Sequence, residues 1–139
     1  MNRKILIATH STFAEGIKNA LELILGQQTS LFSLCAYTDQ ISEVATPAKE
    51  FIDQLSEDEE LIVATDIFGG SVNNEFMNYL SDPRIYLITG VNLPLLFELV
   101  MNINAEDTKG LIEPAIEKAK EQLQYCNAIL RENVAEDNF

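Results

Sequence analysis

The chain's single histidine, His10, follows the apolar run Ile5-Leu6-Ile7-Ala8 and Thr9. Asp66 closes a second run, Leu61-Ile62-Val63-Ala64-Thr65, and Ile67-Phe68-Gly69-Gly70-Ser71 comes directly after it. A third run, Ile85 to Thr89, ends in Gly90-Val91-Asn92. Imidazole exchanges protons near neutral pH and is a competent nucleophile. A carboxylate accepting a hydrogen bond from one ring nitrogen fixes the tautomer and leaves the other nitrogen's lone pair outward. Glycines let a backbone approach a ligand closely, and amides that open a helix bind anions. Brought together, His10, Asp66 and Gly69-Gly70-Ser71 would set a nucleophile beside an anion-binding turn. That combination suits the carriage of a phosphoryl group.

Each piece also has a plain structural reading. A lone histidine can be a surface or packing residue, Asp66 can cap the turn after it, and Gly69-Gly70 can simply make that turn. The turn is not a P-loop, because GxxxxGK[ST] is absent, and no run is followed by GxGxxG. Cys35 and Cys126 form neither a CxxC nor a metal-ligand spacing and read as reduced, packed thiols. These patterns call for no metal and no cofactor.

The elements that must position these residues alternate in type. Ile5 to Ala8, Leu31 to Ala36, Leu61 to Thr65 and Ile85 to Thr89 are short apolar runs, as expected of strands buried on both faces. Phe13, Ile17, Leu21, Ile24 and Leu25 recur at helical spacing, with Thr12 and Glu15 as a capping box and Gly26 as the stop. A second helix is expected over Pro47–Leu55, capped by Thr46, with Ser56 to Glu60 a charged loop. Further helices are expected over Val72–Leu80, over Leu93–Met101 with Pro94 in the first turn, and over Leu111 to about Arg131. Four strands separated by helices predict an α/β fold: a mostly parallel four-stranded sheet with helices on both faces. Ligands of such sheets bind at the carboxyl ends of the strands, where the chemical residues stand. No repeat or linker divides the chain, so 1–139 reads as one domain with its core over about 4–125.

The bulk composition narrows the function further. With 22 acidic residues against 9 basic ones, the net charge is −13. No basic patch exists to neutralise phosphates, which argues against nucleic-acid binding, and adhesion to an anionic membrane is disfavoured. No apolar run approaches the ~20 residues of a membrane span, and Met1-Asn2-Arg3-Lys4 lacks the pattern of a signal peptide. A cytoplasmic protein without membrane insertion is expected, and its acidity favours a basic protein partner.

Thr9-His10, Asp66-Ile67-Phe68-Gly69-Gly70-Ser71 and Gly90-Val91-Asn92-Leu93-Pro94-Leu95-Leu96 together resemble the IIA component of mannose-family sugar phosphotransferase systems. The likeness covers roughly residues 4 to 125, in the same order and at compatible spacing. Ser71-Val72 departs from the Ser-Pro of many members, a change at a helix start that does not touch the reacting groups. The resemblance implies that His10 takes a phosphoryl group on Nε2 from the phosphocarrier HPr and passes it to a IIB component, beyond which lie the membrane IIC and IID proteins. It implies that Asp66 orients His10, that Gly69, Gly70 and Ser71 hold the phosphoryl group, and that Thr9, Phe68 and Asn92 rim the site. It also implies a homodimer in which a C-terminal antiparallel strand, here within Glu132 to Phe139, is exchanged. Two alternatives share the histidine: a phosphocarrier for a dihydroxyacetone kinase, and a regulatory IIA-like domain of a transcriptional activator. The transported sugar is not written in these residues.

Overall fold

In the computed structural model, residues 2–137 are described, with side chains as far as residue 133. Four parallel strands, β1 (Asn2–His10), β2 (Leu31–Ala36), β3 (Glu59–Thr65) and β4 (Ile85–Thr89), form one sheet in the order β2-β1-β3-β4. Between and after them run α1 (Phe13–Leu25), α2 (Ala45–Asp53), α3 (Ser71–Met77), α4 (Leu93–Met101), α5 (Thr108–Glu121) and α6 (Cys126–Asp137). The expected α/β architecture is therefore present, with helices on both faces.

Strand alternation sorts the apolar residues between those faces. Ile5 and Ile7 pack with Ala14, Ile17 and Leu21 of α1, Leu95 and Leu99 of α4, and Leu111 and Ala115 of α5. Leu6, Ala8 and Val63 face the other way, against Ala48 and Ile52 of α2 and Val72 and Phe76 of α3. Phe76, Leu96 and Leu99 are wholly buried, and each such side chain contributes about 1.5–3 kcal/mol through burial. The central pair β1 and β3 is covered on both sides, which explains their unbroken apolar runs.

Several boundaries differ from those read in the sequence, each for a local reason. Glu59 and Glu60 belong to β3, not to a charged loop, because they pair with Asn2 and Arg3, and Lys4 meets Glu59 at 3.0 Å. Thr12 makes no side-chain cap on α1. The cap comes from Thr9, whose hydroxyl accepts from the Ala14 amide at 2.8 Å. α2 opens two residues before Pro47, since the Glu43 carboxylate accepts from the Thr46 amide at 3.1 Å and leaves Thr46 inside the helix. α3 stops at Met77, and the chain continues in tight turns, Tyr79 N–H to Phe76 carbonyl and Leu80 N–H to Met77 carbonyl. α5 begins at Thr108 because Asp107 accepts from the Gly110 amide at 3.0 Å.

The long last helix is two helices. The buried stripe of α5 ends at Ala119, so no sheet contact carries it onward, and the chain turns through residues 122–125 before α6. Residues 132–137, where an exchanged strand was expected, are helical in the single chain, and 138–139 lie outside the described residues. Cys35 is half-buried and Cys126 exposed, so only the former is a packed thiol. Among the described residues no helix is long and apolar enough to cross a membrane.

At the amino end of the sheet a buried cation ties the strands to α5. The Arg3 side chain is 4% exposed and lies 3.6 Å from Glu60. Its guanidinium donates to Thr108 Oγ1 at 2.7 Å, to the Ile103 carbonyl at 2.8 Å and to the Ala105 carbonyl. Glu60 in turn accepts from Thr108 at 2.5 Å and from the Tyr86 hydroxyl at 2.9 Å. Removing the cation strands a carboxylate and two carbonyls in a dry site. Arg3→Leu is expected to cost about 3–5 kcal/mol in urea unfolding. The site at the far ends of the strands should keep its chemistry in that variant. A loss below 1 kcal/mol would show that water replaces the guanidinium.

Candidate functional site

β1 and β3 are neighbours, paired through Ala8 and Thr65, so His10 and Asp66 leave the sheet side by side. Asp66 Oδ2 accepts from the His10 backbone N–H at 2.8 Å and lies 2.8 Å from His10 Nδ1. Its other oxygen accepts from the Ile67 N–H at 3.1 Å. In the neutral ring the nitrogen facing a carboxylate at this distance carries the proton, which leaves the Nε2 lone pair facing outward. The Ser71 hydroxyl stands 3.2 Å from Nε2, placed to donate to it. The His10 side chain is 41% exposed while that of Asp66 is 15% exposed. The imidazole is thus reachable from solvent, and the carboxylate beside it is shielded. Burial alone would push the Asp66 carboxyl up, but the His10 amide and ring outweigh it and hold the group below the ordinary aspartate range.

The glycine turn is shaped by the same neighbourhood. Gly69 has φ +80°, a left-handed conformation that suits glycine. Its carbonyl accepts from the Asn74 side chain at 3.1 Å. Gly70 is required for closeness: a Cβ there would lie 2.7 Å from Ile67 Cγ2 and 3.3 Å from His10 Cε1. The turn is anchored from below, where the buried Thr65 hydroxyl donates to Asn73 Oδ1 at 2.8 Å. Gly70→Ala is expected to fold with a loss of about 1–3 kcal/mol, and to shift the His10 imidazole resonances in a proton–nitrogen correlation spectrum. Unmoved resonances would mean that Ile67 alone absorbs the added methyl.

The structure brings His10, Asp66, Gly69, Gly70 and Ser71 together. Phe68 is 78% exposed and its neighbour Ile67 58% exposed, two apolar side chains presented to solvent on the same turn. Thr9 does not rim the site. It is fully buried, because successive strand residues face opposite ways, and its hydroxyl caps α1. Asn92 works as the cap of α4, accepting from the Leu95 amide at 2.8 Å, and its amide reaches the Ala119 carbonyl of α5 at 3.5 Å. One neighbour of the histidine was not anticipated. The Tyr37 ring stacks on His10 with centroids 5.5 Å apart and planes 23° from parallel. The only signal for it in the sequence is its place one residue beyond the second apolar run.

The family model described as the fructose IIA component of the phosphotransferase system matches residues 4–116. The chain belongs to this family. As a IIA protein it is similar to a fructose-specific EIIA component of Bacillus subtilis, 23% identical over 125 residues, which cover 88% of this chain and 86% of that protein. Among solved structures it resembles a Klebsiella pneumoniae protein assigned to a phosphoenolpyruvate-dependent sugar phosphotransferase system permease. That pair is 42% identical with a TM-score of 0.89, over 94% of this IIA chain and 95% of the other. A IIA protein associated with the fucose utilization operon of Streptococcus pneumoniae is 27% identical with a TM-score of 0.74, over 94% and 97% of the two chains. The mannose/sorbose IIA subunit of Enterococcus faecalis, at 19% identity and a TM-score of 0.76, shares the fold over 90% of this chain and 95% of its own.

Proposed function

We propose that this IIA component accepts a phosphoryl group from HPr on Nε2 of His10 and hands it to a IIB component of a sugar phosphotransferase system. The observation that carries this reading is the Asp66 Oδ2 to His10 Nδ1 hydrogen bond of 2.8 Å, which leaves Nε2 as the free nucleophile at an exposed edge. In the transfer the Nε2 lone pair forms a bond to phosphorus as the bond to the donor breaks and its electron pair departs with the donor. Nδ1 keeps its proton against Asp66 throughout. The Ser71 hydroxyl turns from Nε2 to a phosphoryl oxygen, and the backbone of Gly69 and Gly70 lines the same side. No guanidinium clamps the site, which suits a carrier: a phosphoramidate held too tightly could not be passed on.

Ile67 and Phe68 provide an exposed apolar contact beside the nucleophile for both partners in turn, and the net charge of −13 steers a partner with basic surface toward it. The reading includes a cytoplasmic homodimer. β4 is an edge of the sheet with an unpaired side, where an exchanged strand from a second copy would add, and sedimentation velocity measures the association.

The test is incubation with phosphoenolpyruvate, enzyme I and HPr, followed by intact mass measurement, and then addition of a IIB protein. A gain of one phosphoryl group, discharged to IIB, is expected. No gain would overturn the reading. Discharge to a dihydroxyacetone kinase but not to IIB would place the protein with the kinase carriers.

A further inference from the structure

We propose that Tyr37 is a positioning residue for His10. Its ring covers one face of the imidazole, stops the ring rocking out of plane, and favours the charged ring that exists once Nε2 is phosphorylated. The inference rests on the phosphoryl-carrier reading and adds to it a residue outside the histidine, the aspartate and the glycine turn.

The contacts already described leave one motion unopposed. The hydrogen bonds at Nδ1 and Nε2 act at the rim of the imidazole. Such contacts resist movement within the ring plane but only weakly oppose tilting about the Nδ1 to Asp66 axis. A contact on the face does oppose it. Tyr37 supplies one, at a centroid distance and angle typical of stacked aromatic pairs.

The backbone is bent to make this contact. His10 and Ala36 are register partners in β1 and β2, and the Ser11 amide donates to the Ala36 carbonyl at 2.7 Å. Tyr37 is the next residue, and it holds φ +60°. A bulky side chain is disfavoured in this left-handed region, where glycine or asparagine would sit without strain. The turn beyond it is fixed by its own bonds, Thr38 N–H to the Ile41 carbonyl at 2.8 Å and Ile41 N–H to Thr38 Oγ1 at 3.1 Å. Tyrosine at a position that favours glycine, with its ring delivered onto the nucleophile, points to a role for the ring.

Charge gives the stacking a direction. In the unloaded, nucleophilic form the imidazole is neutral, protonated at Nδ1 alone. After transfer, Nδ1 keeps its proton and Nε2 bears the phosphoryl group, so the ring itself is cationic. An aromatic face attracts a cation more than a neutral ring. Tyr37 therefore stabilises the loaded form relative to the unloaded one, and it does so without covering the Nε2 edge through which both partners act.

The experiment uses the full chain with Tyr37→Phe, Tyr37→Leu and Tyr37→Gly, loaded by phosphoenolpyruvate, enzyme I and HPr. Loading rate, lifetime of the phosphorylated form and the imidazole spectrum are measured. Tyr37→Leu and Tyr37→Gly should load about tenfold more slowly and shift the His10 ring resonances. Tyr37→Phe, which keeps the face, should recover rate, lifetime and spectrum to within about twofold of the parent. Tyr37→Gly should melt no lower than Tyr37→Leu, because glycine relieves the left-handed strain, so its slow loading cannot be charged to misfolding. Parent-like loading and spectra in both Tyr37→Leu and Tyr37→Gly would overturn the inference. Failure of the unsubstituted chain to load at all would instead overturn the carrier reading beneath it.

Discussion

His10→Ala abolishes phosphorylation: incubated with phosphoenolpyruvate, enzyme I and HPr, the variant is expected to show no gain in mass at any time. The expectation is absolute because His10 is the chain's single histidine, so no second imidazole can substitute. The fold should survive. The His10 amide still donates to Asp66 Oδ2, and loss of the ring contact costs about 1–2 kcal/mol. The informative failure is a residual gain. A phosphoryl group on a hydroxyl resists acid, whereas one on an imidazole is lost in acid. Residual label that survives acid would point to Ser71, whose oxygen lies 3.2 Å from Nε2. Such a result would recast His10 as a base and remove the covalent-carrier role.

The parts of this site that were legible in the sequence are those written as local punctuation. An apolar run closed by a polar residue reads as a strand end, so His10, Asp66 and the Gly69-Gly70-Ser71 turn could be placed at one edge of a parallel sheet. Their meeting also needed β1 and β3 to be neighbours, which the order β2-β1-β3-β4 provides. Thr9 was misplaced by nearness along the chain, and strand alternation sends it into the core. Tyr37 was not legible because two non-local facts create the contact: β2 lies against β1, and one residue adopts φ +60°. Glu59 and Glu60 read as a solvated run because nothing local in the sequence places the Lys4 and Arg3 side chains of the neighbouring strand against them. The break between α5 and α6 left no trace in the residues, since it marks where burial against the sheet runs out.

Asp66→Asn tests the orienting role with little change of shape. Oδ2 serves both the His10 N–H and Nδ1, so an amide that keeps its oxygen on the Ile67 N–H places its nitrogen at the Oδ2 position, which draws a lone pair to Nδ1 and moves the proton to Nε2. The nucleophilic nitrogen is then the protonated one. Loading by phospho-HPr is expected to fall on the order of 10⁴-fold, as it does when a comparable carboxylate elsewhere is replaced and the wrong tautomer results. Asp66→Ala should be as slow and also less stable by about 1–3 kcal/mol, because the His10 and Ile67 amides lose their acceptor. Stability against pH separates the carboxylate's charge from its shape. Since the folded Asp66 titrates below its ordinary range, its contribution is complete above the unfolded value of about 3.9. It declines as pH falls through the folded value. The stability gap between the parent chain and Asp66→Asn should therefore shrink as pH falls below about 4. A gap that persists unchanged into acid would mean that Asp66 acts by hydrogen-bond geometry alone. Parent-like loading of Asp66→Asn would remove the tautomer argument, and with it the reason that Nε2 carries the phosphoryl group.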